Sequence, residues 1–433
     1  MRQVWREVPP VFPPDRQRDC FLFPGDRGAA LSRFLNTHPV SEIMSTQTYQ
    51  RKYDVIVIGG GVLGAFHAYF AMCQGFKTLL IERNVFPQQA SVRNFGLIIP
   101  SAMPAGRWRD RAIASCEIYS ELSELLGVPL RRVGTQYLAH TEAEAEFLKQ
   151  MALSCEDSLC PAEFYNAEET VRSSCCLNPE FCQGSLFFPQ DLQLDPDQFF
   201  RAFINWIACT SDCDYLPNTT AISVEPQGSL NRIRTSSGRE FQANHVFVCS
   251  GADLQTLFPD VYITRNLQYC KLQMLKLSNP ENRTLGTSIA SPIALTRYPA
   301  FLNAQFLQGI ALPPPDPELQ ELGIQIWITQ NQNNEFILGD SHAYSTDPPV
   351  EFLSAEVEAQ IINYARKMFV KLDFQVMDRW CGIYTEEKSA GLFQQTLDDR
   401  IHLVTGIGGK GMTTGPGLAR ENISQLSLSK SRA

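Results

Sequence analysis

The sequence lacks any apolar run long enough to cross a membrane. Its most apolar region, residues 54–72, is broken by the glycines of a turn and by His67, whereas a spanning helix needs about 20 apolar residues in a row. It also lacks an excess of positive charge. Thirty-seven Lys and Arg stand against 46 Asp and Glu, for a net charge of −9, which argues against nucleic acid or an anionic membrane surface as the main partner. A local basic pocket for a small anion stays open. Histidine is scarce, with 6 residues that do not cluster near the 13 cysteines. The cysteines are odd in number and show no paired spacing: Cys155 and Cys160 lie five apart, and Cys175 adjoins Cys176 with Cys182 beyond. This matches no zinc pattern, and no metal is expected. Reduced thiols in a cytoplasmic protein are the reading. Residues 1–43 are proline-rich and have no apolar core of signal-peptide length, so secretion is not expected. They read as a flexible extension, as an upstream start with translation beginning at Met44, or as a functional tail. The ending Ser-Lys-Ser-Arg-Ala433 is no peroxisomal address, and no repeat of solenoid length appears.

What the sequence does have begins at Tyr53. An apolar strand, Val55 to Ile58, runs into Gly59-x-Gly61-x-x-Gly64. A helix-compatible stretch from Ala65 to Gln74, a second strand from Thr78 to Ile81, and Glu82 follow. Gly59 allows the tight turn, Gly61 lets a pyrophosphate approach the backbone, and Gly64 lets helix pack on strand. With Val62 and Leu63, the helix N-terminus presents N–H groups to the phosphate. Glu82 stands where a dinucleotide's ribose hydroxyls would be held, with Arg83 beside it. The alternative, a glycine-rich structural turn in a parallel sheet, does not account for the acid in order after the second strand.

Further along, Trp108 to Leu126 has the period of an amphipathic helix closed by Gly127-Val-Pro129. Val133 to Ala139 reads as a strand, and Thr141 to Leu153 as a helix with Thr141 as cap and Glu144 three on. Asp195 and Pro196 open a helix running to about Ile207. Residues 221–250 form a strand-rich unit whose last piece, from His245, is a buried parallel-type strand ending in Gly251-Ala252, room for a cofactor. From Asn266 to Leu372 longer alternating strands predominate. Asn331 to Asn334 is a hairpin between Ile324–Thr329 and Phe336–Gly339, and Val357 to Leu372 is an amphipathic helix.

The tail repeats the strand, glycine-rich turn and helix pattern, from Ile401 through Gly406–Gly417. It is no Walker A loop, because Gly411 stands where Ser or Thr is required. It reads as a backbone surface for a planar ring, made by Gly408, Gly409, Lys410, Gly411, Met412 and Thr413. Lys410 and a helix N-terminus near Thr413 would put positive charge beside a reduced flavin. The plainer reading of Lys410 is a solvated lysine in a turn.

These three pieces resemble the FAD-dependent D-amino-acid oxidase and glycine/sarcosine oxidase superfamily over about residues 52–423. Finer motifs are similar to the branch associated with aminoalkylphosphonate catabolism. They are Ser91-Val-Arg-Asn-Phe-Gly96, Cys270-Lys-Leu-Gln-Met-Leu275, Arg297-Tyr298, Gly339-Asp-Ser-His342, Arg379-Trp-Cys-Gly-Ile-Tyr384 and Gly411-Met-Thr-Thr-Gly-Pro-Gly417. The resemblance implies oxidation of a small amine, with hydride passing to flavin N5 and O2 reoxidising the flavin to H2O2. In the branch the substrate is similar to N-methyl-2-aminoethylphosphonate. Some relatives hold flavin covalently through a cysteine before a Tyr-Thr pair. Here Gly382 occupies that place and Cys381 is one residue out of register, so non-covalent FAD is expected.

An anionic substrate needs a cation. No Lys or Arg lies between Arg297 and Arg366, which leaves Arg297 and His342 as the cationic candidates there. Arg297 with Tyr298 reads as an anion clamp or as a surface salt bridge, and His342 as a ligand contact, a base or a structural histidine. Tyr384 is expected to contact the substrate. Ser91, Arg93 and Asn94 approach the flavin, or Arg93 and Asn94 fix their loop. Lys271 is a candidate oxygen-activating cation. His67 reads as packing.

The expected fold is α/β: a Rossmann-type FAD-binding domain assembled from discontinuous segments, plus an antiparallel-sheet substrate domain. The former takes 51–105, 192–262 and 378–430, and the latter 106–191 and 263–377, after an extension at 1–50. The expected function is FAD-dependent oxidation of a small amine bearing an anionic group. Rival readings are a flavin dehydrogenase of a 2-hydroxy acid with a non-oxygen acceptor, a flavin-binding subunit without turnover, and an NAD-dependent enzyme with one Rossmann unit. The oligomeric state is left open.

Overall fold

A computed structural model describes residues 51–430 apart from 156–159 and 175. The leader with Met44, and part of the cysteine-rich segment, lie outside the described residues. In chain order, the elements that build the site begin with β1 (Arg51–Ile58), α1 (Val62–Cys73), β2 (Thr78–Ile81), α2 (Arg107–Leu126) and β3 (Glu240–Val248). They continue with β4 (Leu267–Leu277), β5 (Val376–Glu387), β6 (Ile401–Thr405) and α3 (Gly411–Lys430).

The first sheet has eight strands. β1 lies at its centre, parallel to β2 with Val55 opposite Thr78, and parallel to β3 with Val55 opposite His245. β6 joins β3 in parallel, so the tail strand returns to the same sheet. Both faces of β1 are covered. Val55 and Val57 pack with Phe66, Phe199 and Phe203 of the helical layer, while Ile56 and Ile58 pack with Val224, Ile233 and Phe241 on the other side. A strand buried on both faces must be apolar without alternation, which is why its sequence runs Val-Ile-Val-Ile.

The second sheet has nine strands, and β4 is its spine. β4 pairs antiparallel with β5 along its whole length, from Leu267 opposite Glu387 to Leu277 opposite Val376. The expected hairpin forms between Trp327–Gln330 and Phe336–Gly339. Local signals elsewhere are realised as read. Thr141 and Glu144 form a reciprocal cap, and the Asp195 side chain accepts from the Gln198 N–H.

Three readings change. α3 starts at Gly411 and carries Pro416 inside it, so Gly411 to Gly417 is helix, not turn. These glycines serve close packing: side chains of Val62 lie against Gly411 and Gly415, and a Cβ at Gly417 would strike the Arg111 carbonyl of α2. Second, β3 ends at Val248, before Gly251-Ala252. Third, the sheets divide the chain differently from the sequence boundaries. Ile118, Tyr119 and Leu122 of α2 pack in the core of the first sheet, and β5 belongs to the second. Among the described residues no helix is long and apolar enough to cross a membrane.

Candidate active site

One cavity of about 1320 Å³ runs between the two sheets. That exceeds the usual 300–1,000 Å³ of a site for one small ligand, so it has room for a dinucleotide and a substrate together. At one end Gly59, Gly61, Val62 and Leu63 line it. Gly59 has φ +100°, and a Cβ there would strike the Cys249 carbonyl. Gly64 does not line the cavity; a Cβ on it would land on the Gly59 carbonyl oxygen, so it serves helix-to-turn packing. Glu82 is 6% exposed and lines the same end. Its carboxylate accepts the Gly60 N–H at 2.7 Å and the Asn84 N–H at 2.9 Å. Arg83 also lines the wall, paired with Asp253 at 3.3 Å.

Ser91, Arg93 and Asn94 follow along the wall. Ser91 Oγ accepts the Val62 N–H at 2.8 Å and so caps α1 from outside the helix. The Asn94 amide donates to the Ala90 and Ser91 carbonyls, and its oxygen accepts the Gly96 N–H. That side chain fixes its loop. Arg93 reaches the Cys381 carbonyl at 3.1 Å and Glu351 at 3.2 Å. Across from them, Gly251 and Ala252 line the cavity, and the Gly251 carbonyl accepts from Thr385 and Thr405 hydroxyls at 3.2 and 2.7 Å.

Gly408 to Thr413 form the middle of the cavity. The N-terminus of α3 at Gly411 therefore opens onto it. Lys410 lies there too, but its charge is not alone. Its Nζ is 3.7 Å from Glu386 Oε1 and 5.5 Å from the Trp108 ring centre. Burial lowers its pKa against the pull of Glu386.

Arg297, Tyr298, His342 and Tyr384 line the far end. Arg297 Nη2 donates to the Tyr344 hydroxyl at 3.0 Å, and among the described residues no carboxylate forms an ion pair with it. Tyr298 accepts the Trp327 indole N–H at 3.1 Å. The Tyr384 hydroxyl faces Gly409. His342 is not the second cation. Burial first, and Arg297 second, hold its pKa well below the ordinary value, so its ring is neutral at pH 7. Nδ1 sits 3.2 Å from the Gly323 carbonyl, and Nε2 3.6 Å from Asp340 Oδ2.

Asp340 itself was not among the residues singled out by sequence, although it sits inside the Gly339–His342 motif. It lines the cavity and is 7% exposed. Burial pushes its pKa up to about 7 against the lowering effect of Arg297.

Lys271 is elsewhere. It does not line the cavity, and its Nζ donates to the Phe352 carbonyl at 2.9 Å. Its position alternates on β4 with Cys270, and only the register of β4 against its neighbours decides which face it takes. His67 is buried in α1 between the Leu63 carbonyl at 2.7 Å and the Asn422 amide at 3.0 Å, a packed residue. Cys155, Cys160, Cys176 and Cys182 sit in hydrophobic cores and do not line the cavity.

The sequence profile of the family described as "DAO: FAD dependent oxidoreductase" matches residues 54–423. A glycine oxidase of Bacillus licheniformis is 28% identical over 241 residues, covering 53% of this chain and 62% of that enzyme. The match thus spans less than two thirds of the curated relative's length. Among solved structures, glycine oxidase from Geobacillus kaustophilus superposes with TM-score 0.71 at 18% identity, over 87% of this chain and 95% of that one. The L-α-glycerophosphate oxidase of Mycoplasma pneumoniae, with FAD bound, gives TM-score 0.70 at 17% identity, over 87% and 95%.

Proposed function

Given that the chain belongs to the DAO family of FAD-dependent oxidoreductases, we propose that it oxidises a small amine bearing a carboxylate or phosphonate. The observation that carries this is Arg297. A guanidinium lines the deep cavity, held by one hydroxyl and with no carboxylate paired to it among the described residues. Such a fork suits a planar carboxylate or a phosphonate.

The cavity fits the cofactor on its own geometry. The glycine turn and α1 N-terminus would take the pyrophosphate, and Glu82 the ribose. Gly408 to Thr413 would lie along the ring. Bound FAD supplies the hydride acceptor and, through O2, the route to H2O2. Arg297 and Tyr344 hold the substrate anion, Tyr298 braced by Trp327 limits its size, and Tyr384 closes the side toward the glycine turn. The N-terminus of α3 offers partial positive charge at the ring, with Lys410 tempered by Glu386. Binding is non-covalent in this reading, since Cys381 does not line the cavity and burial raises its thiol pKa.

The test is an anaerobic visible spectrum of purified holoprotein titrated with N-methyl-2-aminoethylphosphonate, sarcosine, glycine and 2-hydroxyglutarate. Bleaching of the flavin band by one or more of the amines and not by 2-hydroxyglutarate is expected. Bleaching by the hydroxy acid alone would replace amine oxidation with alcohol oxidation. A yellow protein that none of them bleaches would leave a flavin-binding subunit.

A further inference from the structure

We propose that Asp340 receives the amino group of the substrate, pairing with the ammonium in the cavity and taking one of its protons before oxidation. This rests on the amine reading above and adds a residue and a role to it.

The geometry is that of a carboxylate with an unmet need. Asp340 follows the strand Phe336–Gly339 directly and lines the cavity. Its Oδ1 is buried and has no hydrogen-bond partner among the described residues. Its Oδ2 has His342 Nε2 at 3.6 Å, a neutral ring too distant for a strong bond. Its own backbone N–H lowers its pKa beside Arg297, but an ionised carboxylate out of water with so few donors is costly. Two other buried carboxylates, Glu82 and Glu144, avoid that cost. Glu82 takes two backbone N–H groups, and Glu144 takes those of His140 and Thr141.

The charges around it are arranged for a zwitterion. Arg297 shares the cavity and its field reaches Asp340, yet the two form no ion pair among the described residues. A cation and an anion kept apart in one cavity are what a molecule bearing both charges requires. An alcohol could donate one O–H to Asp340 but would bring no positive charge to it. The titratable groups within its field are few. Arg297 and Tyr298 come from the turn before residue 299, Cys270 from β4, and His342 from the same loop. Arg297 is the only fixed charge among these.

The proton step balances within the site. One N–H bond of the ammonium breaks, an O–H bond forms on Asp340, and the electron pair stays on nitrogen. That pair is needed for hydride to leave the adjacent carbon. Burial places Asp340 near 7, the range in which a carboxylate serves as a base at neutral pH.

The experiment uses the holoenzyme with two kinds of probe. Acetate carries only the anion, and its Kd is read from the flavin difference spectrum. Glycine and sarcosine carry both charges, and their Kd is read from the concentration dependence of anaerobic bleaching. As pH falls from 8.5 to 6, acetate should bind at least about 5-fold tighter while the bleaching amine binds at least about 5-fold weaker. Asp340→Asn should weaken the amine by about 30-fold, leave acetate as tight or tighter, and abolish the opposed pH dependence. Two outcomes overturn the proposal: both probes changing in parallel with pH, or an Asp340→Asn protein that binds the amine within twofold of the parent. If the parent is bleached by neither amine nor aminophosphonate, the amine reading falls and Asp340's role falls with it.

Discussion

Asp191 and Asp340 are both buried carboxylates whose pKa burial pushes up to about 7, but they are satisfied in opposite ways. Asp191 lies under the second sheet. Its Oδ1 accepts the Ser101 N–H at 3.3 Å, its Oδ2 accepts the Ser101 hydroxyl, and the Tyr137 hydroxyl closes the group at 2.8 Å from Ser101. Asp340 has an orphaned oxygen and an open cavity in front of it. A shift in pKa alone does not separate a structural acid from a functional one. The inventory of donors does. Where the fold supplies every partner, the carboxylate ties elements together; where it withholds them beside a cavity, a ligand must supply them.

The largest effect should come from removing the cation that shares Asp340's cavity. Arg297→Met should weaken an amino acid or aminophosphonate by at least about 100-fold, because it leaves the ligand's anion without its partner. Arg297 lowers the Asp340 pKa, so the pH midpoint of ligand binding in this variant should move upward. A binding constant unchanged by the substitution would remove Arg297 from the site and with it the contrast with Asp191.

The two substitutions should act differently on stability, because only Asp191 holds hydrogen-bond donors of the core. Asp191→Ala leaves the Ser101 hydroxyl and N–H without an acceptor in the core, a loss on the order of 2–4 kcal/mol. A lower urea midpoint with bleaching rate intact would show it. Asp340→Asn removes a carboxylate the fold does not satisfy, so the variant should gain stability. The pH window follows from the shift. Unfolded, Asp340 titrates near its ordinary 3.8, and folded near 7. Between those values the native chain holds the extra proton, so the stability it confers is full below about 4 and is lost as pH rises through about 7. Relative to the parent, Asp340→Asn should therefore gain on the order of 4 kcal/mol between pH 4 and pH 8, with no gain at pH 4. Equal stability at both pH values would mean that water reaches Asp340 freely.

Much of this was readable in the sequence, and the exceptions share a cause. The unit from Arg51 to Glu82 was legible because its signals are local: an apolar run, glycines at fixed spacing, and an acid after the second strand. Gly411 to Gly417 misled because glycine marks both turns and close helix packing. Only the presence of Val62 and Arg111 opposite them decides for packing. The division of the chain shifted at β5 because its partner, β4, lies about a hundred residues earlier. Asp340 was passed over for the same reason. An Asp between Gly and Ser at a strand end looks like loop chemistry. Its significance lies in the donors it lacks and in an arginine 43 positions back, which no short window contains.

The smallest effect is expected at Lys271, and it sharpens the contrast by testing a residue whose needs are met away from the cavity. From sequence Lys271 is a candidate oxygen-activating cation. In the structure its Nζ donates to the Phe352 carbonyl, in a loop where Phe352 is 79% exposed, and the residue does not line the cavity. A charge held outside the cavity and screened by solvent acts weakly on what the cavity holds. Lys271→Met should therefore change flavin reoxidation by less than about threefold, while costing at most about 1 kcal/mol from the lost hydrogen bond. Stopped-flow mixing of reduced protein with oxygen measures the first, and urea unfolding the second. A reoxidation rate lowered a hundredfold would mean that the strand turns Lys271 toward the ring in the working enzyme. The rule used to separate Asp340 from Asp191, that a side chain already supplied with its partner is not the one that acts, would then fail at its simplest case.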